Sequence, residues 1–352
     1  MTATPEEQND RPDSLLEVRN LSMDFALPGR GLLRKKKRLL HAVNDVDLTI
    51  RPGEVLGLVG ESGCGKTTLG RCIVGTNRPT AGKINYRTAE GDVVDLAAMG
   101  TRELRRYQKE IRVIFQDPFA SLNPRLTVLQ TVGDPLVRHG IASGSELEHR
   151  VADMLRRVGL SPGHMHRYPH AFSGGERQRI SIARALVVRP RLVVADEAVS
   201  ALDVSIRAQI LNLLSDLQEE FELTYLFISH DLSVVENLCH RVAVMYLGKV
   251  VELSETSRLY RAPQHPYTEA LLSAVPRPDP RLRTAGGRIR LSDEFPDPSD
   301  PPSGCFFHTR CHYVEDRCRE ESPPLRTVAD DHRASCHFSE RLDLTGVSDN
   351  AP

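Results

Sequence analysis

Residues 60–68, GESGCGKTT, combine glycines, a lysine and two threonines in a spacing that suits phosphate binding. They follow the apolar segment EVLGLVG and open a run with helical character, as the pattern Gly-x-x-x-x-Gly-Lys-[Ser/Thr] requires. The backbone N–H groups of such a loop wrap a triphosphate, Lys66 adds charge at the β- and γ-phosphates, and the Thr67 hydroxyl binds Mg²⁺. The nucleotide-binding residues predicted here are Gly60, Glu61, Ser62, Gly63, Cys64, Gly65, Lys66, Thr67 and Thr68. Below, residues 60–68 are the phosphate loop.

Two adjacent carboxylates follow a second apolar segment, RLVVADEA at 191–198. This segment predicts a buried strand with Asp196 and Glu197 at its carboxyl end, the edge at which open α/β sheets bind ligands. We predict that Asp196 holds Mg²⁺ through a coordinated water. Glu197 is then expected to orient and polarise the water that attacks the γ-phosphate.

Residues 172–179, FSGGERQR, place two glycines in front of a helical pattern. Glycine costs about 1 kcal/mol inside a helix, so the pair is expected at the helix start. Ser173 is the predicted N-cap, and Glu176 three residues later completes a capping-box pattern. A helix start with free N–H groups suits an anion, which the residues themselves do not identify.

The elements that must position these residues alternate along the chain. Apolar strand patterns alternate with helical ones, which predicts an α/β fold with a mainly parallel sheet. Near the start, LLEVRNLSMDFAL and HAVNDVDLTI predict antiparallel strands joined by a basic loop. Its run at 34–38 is most often a solvated loop, and a role at a membrane surface or nucleic acid is the alternative. A region with more helical pattern covers roughly 127–190.

Composition excludes several classes of protein. The chain has 352 residues, a net charge of -1, 40% hydrophobic and 26% charged residues, as in ordinary globular proteins. The charge balance gives no indication of bulk nucleic-acid binding. We find no apolar run of membrane-spanning length and no signal-peptide order at the N-terminus, so a cytosolic protein is expected.

Taken together, these motifs resemble one family, the ATP-binding cassette subunits of transporters. The resemblance covers about residues 14–338, and 172–179 look like the signature of that family, whose usual core is Ser-Gly-Gly-Gln. FQDPFASLNPRLTV (115–128) and QHPYTEALLSAVP (264–276) look like the oligopeptide/dipeptide branch. GCGKTTLGR further resembles the second ATPase of the paired subunits in that branch. Residues 172–179 are called the signature segment from here on.

The resemblance implies a partner for the signature segment. In this family two ATPase subunits pair head to tail, and the signature of one faces the γ-phosphate held by the other. Ser173, Gly174, Gly175 and Glu176 would then contact the ATP of the partner, with Glu176 standing where the family has Gln. Ala198 also stands where a Pro usually follows the carboxylate pair, and we expect little effect on chemistry.

Further site residues are implied by the same resemblance. Gln116 looks like the glutamine that contacts Mg²⁺ or water, so the implied magnesium set is Thr67, Gln116 and Asp196. Asp203, in SALD, would reach across the dimer, and His230 would contact the γ-phosphate. Phe25 is the candidate for stacking on adenine, with core packing as the alternative. The implied catalytic residues are Glu197, His230 and Gln116.

Seven cysteines are present, and four of them lie near the C-terminus as C-x5-C-x6-C-x17-C. This is not a zinc-ribbon spacing, but four thiolates can hold a 4Fe–4S cluster, as in some members of the branch. Structural zinc with His308, His312 or His337, and metal-free buried thiols, stay open as alternatives. Any role is expected to be structural rather than redox. The candidate ligands are Cys305, Cys311, Cys318 and Cys336.

The implied fold is a P-loop NTPase of the α/β class, an ABC nucleotide-binding domain with an antiparallel β subdomain. The domain is expected at 14–275, with a helical subdomain at about 117–180. A small C-terminal cysteine-containing module is expected at 276–338. Disordered ends are expected at 1–13 and 339–352.

The implied function is an ATP-hydrolysing subunit that powers an oligopeptide or dipeptide importer at the cytoplasmic face of the cell membrane. Its cofactors would be ATP and Mg²⁺. Its partners would be a second ATPase subunit, identical or a sibling, two integral-membrane permeases and, indirectly, an extracytoplasmic solute-binding protein, with no nucleic acid. Nickel or another small solute of the branch is the alternative substrate.

A soluble cassette ATPase that acts on nucleic acid or ribosomes is the alternative function. Such chains usually carry two cassettes or long coiled coils, and this chain shows one cassette and no heptads. A small-molecule kinase, a third hypothesis, does not account for FSGGERQR or SALD.

Overall fold

A computed structural model describes residues 14–27, 38–117, 121–275, 289–292 and 295–347. The basic run predicted as a loop at 34–38 therefore lies outside the described residues except for Arg38. The predicted disordered residues 1–13 also lie outside them. Within the described part of the chain, no helix has both the length and the apolar character needed to cross a membrane.

The strands form two sheets. An antiparallel sheet has the order β2-β1-β4-β5, and a larger mixed sheet has the order β11-β12-β10-β9-β3-β8-β7-β6. The prediction of an α/β fold with an antiparallel β subdomain is confirmed. The strands are β1 (Leu16–Ala26), β2 (Leu39–Ile50), β3 (Val55–Val59), β4 (Ala81–Arg87), β5 (Val93–Asp95), β6 (Ile111–Ile114), β7 (Leu192–Asp196), β8 (Thr224–Ile228), β9 (Arg241–Tyr246), β10 (Lys249–Glu255), β11 (Arg326–Ala329) and β12 (His332–Ala334).

The helices connect these strands and build a second layer. The described α-helices are α1 (Lys66–Ile73), α2 (Thr101–Leu104), α3 (Val128–Arg138), α4 (Gly144–Arg157), α5 (Gly174–Leu186), α6 (Val204–Phe221), α7 (Leu232–Leu238), α8 (Thr256–Arg261), α9 (Pro266–Ser273) and α10 (Asp316–Glu320). The range predicted as a helical subdomain, about 117–180, holds α3, α4 and the start of α5.

Five neighbouring strands of the mixed sheet, β9, β3, β8, β7 and β6, are parallel, and all but β6 are fully buried. β3 pairs with β8, β8 with β7, and β7 with β6, all in parallel. Such strands read as apolar runs because both faces of the sheet are covered. Alternate residues of β7 divide between two cores: Leu192 and Val194 pack under the antiparallel sheet and α1, and Val193 and Ala195 pack under the helices.

The C-terminal segment, described at 289–292 and 295–347, is joined to the mixed sheet. Its strand β12 pairs with β10, so it extends the mixed sheet. The buried His332 Nε2 lies 2.7 Å from Glu252 Oε1, which ties the two strands together through a polar pair. The boundary expected at 275/276 stays a prediction, and backbone pairing between such distant strands leaves no local pattern in the sequence.

Residues 339–347 also differ from the expectation of a disordered tail. Leu344 is buried, the Val347 N–H donates to Tyr260 O at 2.6 Å, and the Thr345 N–H donates to Glu269 Oε1 at 2.8 Å. The polar composition of residues 339–347 gave no indication of these contacts, because backbone N–H groups make both hydrogen bonds. Residues 348–352 lie outside the described part.

Candidate functional site

The predicted site residues meet at one edge of the mixed sheet. The phosphate loop follows β3, Gln116 follows β6, Asp196 and Glu197 end β7, and His230 follows β8. A cavity of about 300 Å³ opens at this edge. Its lining residues are Phe25, Leu40, Ala42, Ser62, Gly63, Gly65, Lys66, Thr67, Thr68, Gln116, Glu197 and Pro298.

Glycine is required in the phosphate loop for two reasons. Gly60, Gly63 and Gly65 have φ of 150°, 83° and 107°, a region that side-chain-bearing residues rarely adopt. A Cβ at Gly60 would also lie 2.1 Å from Met245 O, and one at Gly65 would lie 2.0 Å from Ala42 O. The loop is therefore pressed between neighbouring backbone segments and its shape is fixed.

The start of α1 carries the lysine of the loop. Lys66 is 4% exposed, and its Nζ donates to Gly60 O at 2.7 Å and to Glu61 O at 2.9 Å. The Cys64 side chain is buried beneath the loop, where burial raises the pKa of its thiol. Of the predicted loop residues, Gly60, Glu61 and Cys64 are not among the described residues that line the cavity.

Thr67 and Asp196 form a compact oxygen-rich pair beside the loop. The Thr67 hydroxyl donates to Asp196 Oδ1 at 2.9 Å. Burial raises the pKa of the Asp196 carboxyl, and the hydrogen bond from Thr67 acts in the opposite direction. A hydroxyl and one carboxylate next to a phosphate-binding loop fit Mg²⁺, which binds oxygen ligands and keeps several waters.

Glu197 is the point where the three predicted catalytic side chains meet. Gln116 Nε2 donates to Glu197 Oε2 at 2.9 Å, and His230 Nδ1 lies 3.3 Å from Glu197 Oε1. Glu197 has φ of 48°, an unusual conformation for a residue with a side chain. Its N–H donates to Ile228 O at 3.0 Å, which holds it in this conformation. Strained backbone of this kind is often found at functional sites.

The opposite end of the cavity is apolar. Phe25 is 36% exposed and lines the cavity with Leu40 and Pro298. The sequence reasoning missed the latter two. Pro298 reaches the cavity because the His41 N–H donates to Pro298 O at 3.2 Å, and the Arg38–Asp297 ion pair lies beside it. No sequence signal links residues so far apart in the chain.

The signature segment forms the start of α5 as predicted. The Ser173 N–H donates to Glu176 Oε2 at 2.9 Å, and the Glu176 N–H donates to Ser173 Oγ at 3.4 Å, which confirms the capping box. The Ser173 hydroxyl also donates to Glu176 Oε2 at 2.8 Å. These bonds, led by the Ser173 N–H, lower the pKa of the Glu176 carboxyl.

The two glycines of the signature segment have different surroundings. A Cβ at Gly175 would lie 2.6 Å from Ile206 Cγ2, so any side chain there requires Ile206 on α6 to shift. A Cβ at Gly174 would meet no described atom within 4 Å. The signature segment is not among the described residues that line the cavity of its own chain.

Asp203 makes a capping contact at the start of α6, and the residue next to His230 forms an ion pair with the same helix. Asp203 caps α6, because its Oδ1 accepts from the Ile206 N–H at 2.9 Å, which lowers the pKa of its carboxyl. Next to His230, Asp231 pairs with Arg207 Nη1 at 3.0 Å, a contact that the sequence did not predict. This pair connects the start of α6 with the loop that carries His230.

The four C-terminal cysteines line one small apolar cavity together with His265, His308 and His337, and His312 is not among the described lining residues. The cavity measures about 20 Å³, room for roughly one water molecule. Among the described residues, no group of three or more His, Cys, Asp or Glu side chains is placed to hold a metal ion. The predicted cluster or zinc site is therefore not supported by the described positions.

Burial disfavours the thiolate form of Cys305 and Cys311 in this cavity. It raises the pKa of Cys305 to about 11 and that of Cys311 to about 12. It also lowers the pKa of His265 to about 3, and the His265 Nδ1 accepts from the Tyr267 N–H at 3.1 Å. Cys305, Cys311 and His265 therefore favour their neutral forms.

Two family profiles match the chain. The profile described as ABC transporter matches residues 43–200. The profile described as oligopeptide/dipeptide transporter, C-terminal region, matches residues 251–318. The first contains the phosphate loop, the signature segment and the carboxylate pair, and the second contains three of the four clustered cysteines.

Several curated proteins are similar over nearly their whole length. The oligopeptide transport ATP-binding protein AppF of Bacillus subtilis is 47% identical over 327 residues, which cover 93% of this chain and 98% of that protein. The probable peptide ABC transporter ATP-binding protein y4tS of Sinorhizobium fredii is 48% identical over 340 residues, 96% of this chain and 94% of that protein.

Solved structures are similar over the larger part of the chain. The ATP-binding cassette MJ0796, as a dimer in a post-hydrolysis state bound to ADP and Pi, is 28% identical with a TM-score of 0.60. The match covers 68% of this chain and 98% of that one. CbiO1 from Clostridium perfringens is 26% identical with a TM-score of 0.59, covering 70% and 91%.

Proposed function

The chain belongs to the ABC transporter family and is an ABC ATPase, and from this premise we propose that it powers a peptide importer. The names of its relatives, which are oligopeptide or peptide transport ATP-binding proteins, support the peptide assignment. The match to the oligopeptide/dipeptide C-terminal profile supports the same branch. Nickel or another small solute of that branch is the alternative cargo, and no observation favours a nucleic-acid function.

In the proposed reaction the phosphate loop binds the triphosphate of ATP and Glu197 acts on water. The carboxylate accepts a hydrogen bond from a water molecule, whose oxygen bonds to the γ-phosphorus. The bond from γ-phosphorus to the bridging oxygen breaks, ADP leaves with the electron pair, and the water proton passes to Glu197. Gln116 and His230 hold the Glu197 carboxylate in place. Thr67, Asp196 and Gln116 would hold Mg²⁺, which supplies charge neutralisation at the phosphates.

Phe25 is the proposed contact for adenine at the apolar end of the cavity. Its partly exposed ring lies at the cavity wall, where an aromatic face is available for stacking. In this arrangement the base lies against Phe25 and the triphosphate lies against the N-terminus of α1.

The signature segment is proposed to bind the γ-phosphate of a partner subunit. The observation that carries this proposal is Gly174: nothing described in its own chain requires a glycine there, yet it begins a capped helix with free N–H groups. A backbone that approaches a phosphate closely does require glycine, and a helix N-terminus attracts anions. Ser173, Gly174 and Gly175 are the proposed donors, and Asp203 the residue beside the dimer contact.

A charge placed at Gly174 tests this proposal. Gly174→Asp keeps the capping box and meets no described neighbour, but it brings a negative charge to the incoming phosphate. We expect ATP turnover in the assembled transporter to fall by roughly 10²-fold, as when one oxyanion donor is lost. The matched control is Gly163→Asp, because a Cβ at Gly163 would meet only Ser161 Oγ, at 3.6 Å. Equal turnover of both variants would contradict the proposal.

The proposed partners follow from the importer assignment. They are a second ATPase subunit, identical or a sibling, two integral-membrane permeases and, indirectly, an extracytoplasmic solute-binding protein. The permeases would place the chain at the cytoplasmic face of the membrane by docking near Gln116 and residues 117–126, of which 118–120 lie outside the described residues. Co-purification with two membrane proteins from detergent extracts, and ATP-driven peptide uptake by the reconstituted complex, test this assignment.

The cysteine cavity is proposed as an iron–sulfur ligand set. Its support is that Cys305, Cys311, Cys318 and Cys336 line the same cavity, which would have to open beyond its described size. Protein purified without oxygen is then expected to absorb near 400 nm, roughly as iron–sulfur thiolates do, and to contain iron and sulfide. Colourless protein that contains zinc, or no metal at all, would contradict this set.

A further inference from the structure

The C-terminal segment contacts the phosphate loop through one ion pair. Arg310 Nη1 donates to Glu61 Oε2 at 2.6 Å, and Arg310 Nη2 donates to Glu61 Oε1 at 2.9 Å. The guanidinium and the carboxylate thus form a two-bond fork, which fixes orientation as well as distance. Glu61 is the second residue of the phosphate loop, and Arg310 lies 249 residues further along the chain.

The surroundings of Arg310 hold its side chain in one position. The side chain is 5% exposed, and its Nε donates to Ser292 O at 3.2 Å. The guanidinium lies 5.9 Å from the ring centroid of Tyr246 and 5.7 Å from that of Phe295. A buried arginine with all three donor nitrogens engaged is a rigid support for the group that it holds.

Glu61 is the residue through which this support reaches the lysine of the loop. Its N–H donates to Tyr267 Oη at 2.8 Å, and its carbonyl accepts from Lys66 Nζ at 2.9 Å. Backbone N–H, backbone carbonyl and carboxylate of Glu61 are therefore each held by a different side chain. Two of the residues that hold Glu61, Tyr267 and Arg310, lie outside the segment matched by the ABC transporter profile.

We propose that Arg310 is a positioning residue for the phosphate loop, which it holds through Glu61 in the shape that binds the triphosphate. This inference rests on the proposed function, because it assigns a support to the same ATP site. Arg310 is not assigned a nucleotide contact, because Glu61 engages its guanidinium and it is not among the described residues that line the nucleotide cavity.

The position of Arg310 also connects two parts of the molecule. It belongs to the turn 305–311, where the Arg310 N–H donates to Phe307 O at 3.0 Å and the His308 N–H donates to Cys305 O at 3.0 Å. Cys305 and Cys311 flank this turn.

The expected kinetic effect is on ATP binding. The loop N–H groups contact the phosphates in both ground state and transition state, so a loosened loop raises KM and leaves kcat nearly unchanged. In the full chain we expect Arg310→Gln to raise the Kd for Mg-ATP by about tenfold, since small misplacements of binding groups have effects of at least this size. Arg310→Lys keeps the positive charge but loses the two-bond contact with Glu61, so its Kd is expected to lie between those of wild type and Arg310→Gln.

Isothermal titration with Mg-ATP tests the proposal. The proteins compared are wild type, Arg310→Gln, Arg310→Lys, Glu61→Gln and the Arg310→Gln/Glu61→Gln double variant. Because both residues act through one contact, the double variant is expected to bind no more than twofold weaker than the weaker single variant. The control is Arg317→Gln, which removes an exposed ion pair with Glu321 in the same segment and is expected to bind like wild type.

A purely structural role for Arg310 would lower the melting temperature and leave Kd within twofold of wild type, and that result overturns the inference. Effects that multiply in the double variant overturn it as well. If Arg310→Gln does not fold, Arg310→Lys and Glu61→Gln decide by the same criteria. Lys66→Ala distinguishes failure of the ATP site from failure of the Arg310 proposal. If wild type binds Mg-ATP tightly and Lys66→Ala does not, the ATP site is upheld, even where the Arg310 variants bind normally.

Discussion

Glu197 combines a left-handed backbone, a place at the end of a buried strand and two side-chain neighbours that fix both of its oxygens. Each of these features limits where the carboxylate can point. In the proposed role as general base, a carboxylate held in this way would activate water without first reorganising.

Removing the charge of Glu197 separates hydrolysis from binding. Glu197→Gln keeps the size of the side chain but cannot take up a proton, so ATP turnover is expected to fall by roughly 10²–10⁴-fold. The affinity for Mg-ATP is expected to stay at the wild-type value. Turnover assays check the loss of hydrolysis and equilibrium titration checks the affinity, with Glu219→Gln at an exposed position of α6 as control. Turnover near wild type would remove Glu197 from its proposed role.

Single residues of the site could be predicted where a motif is local. Short patterns, read together with the strand or helix next to them, predict Lys66, Thr67, Asp196 and the capping pair of the signature segment. Pro298 and Arg310 could not be predicted, because each reaches the site through contacts with residues more than 200 positions away.

Among the elements, α5 is the one whose start has two separate constraints. Its capping box fixes the first turn, and Gly175 lets that turn pack closely against α6. Gly174 lies on the open side of the same turn. Adjacent glycines in one motif thus serve different purposes, one within the chain and one, as proposed, across a dimer.

Alanine substitutions distinguish these two purposes. Gly175→Ala forces Ile206 to shift, and overpacking of this kind costs about 1–3 kcal/mol, so the melting temperature is expected to fall by roughly 2–6 °C. Gly174→Ala meets no described neighbour and is expected to melt within about 1 °C of wild type. Thermal melts followed by circular dichroism compare the pair. Equal destabilisation of both would show that Gly174 also has a packing role within the chain.

The elements themselves were predicted best where hydrophobic periodicity is strong. The apolar runs before the phosphate loop, before Asp196 and before His230 are the buried strands β3, β7 and β8. The hairpin of β9 and β10 was not predicted, and neither was the pairing of β12 with β10. A register between strands depends on tertiary contacts that a single sequence does not display.

At the scale of the whole molecule, the C-terminal segment contacts the nucleotide cavity at one residue and the phosphate loop at another. Pro298 lines the apolar end of the cavity, and Arg310 holds the phosphate loop from behind. Its strands also extend the mixed sheet at β10. The C-terminal segment therefore contacts both the mixed sheet and the nucleotide cavity.

ATP-dependent pairing is the most direct measurement of the central claim, that nucleotide is shared between two cassettes. Glu197→Gln, with and without the second ATPase subunit of its transporter, would be examined by size-exclusion chromatography with light scattering. We expect the mass of two cassette chains in Mg-ATP and of one chain in Mg-ADP, with pairing lost in Glu197→Gln/Gly174→Asp. A single-chain mass in saturating Mg-ATP with every cassette partner of the transporter would contradict the shared site.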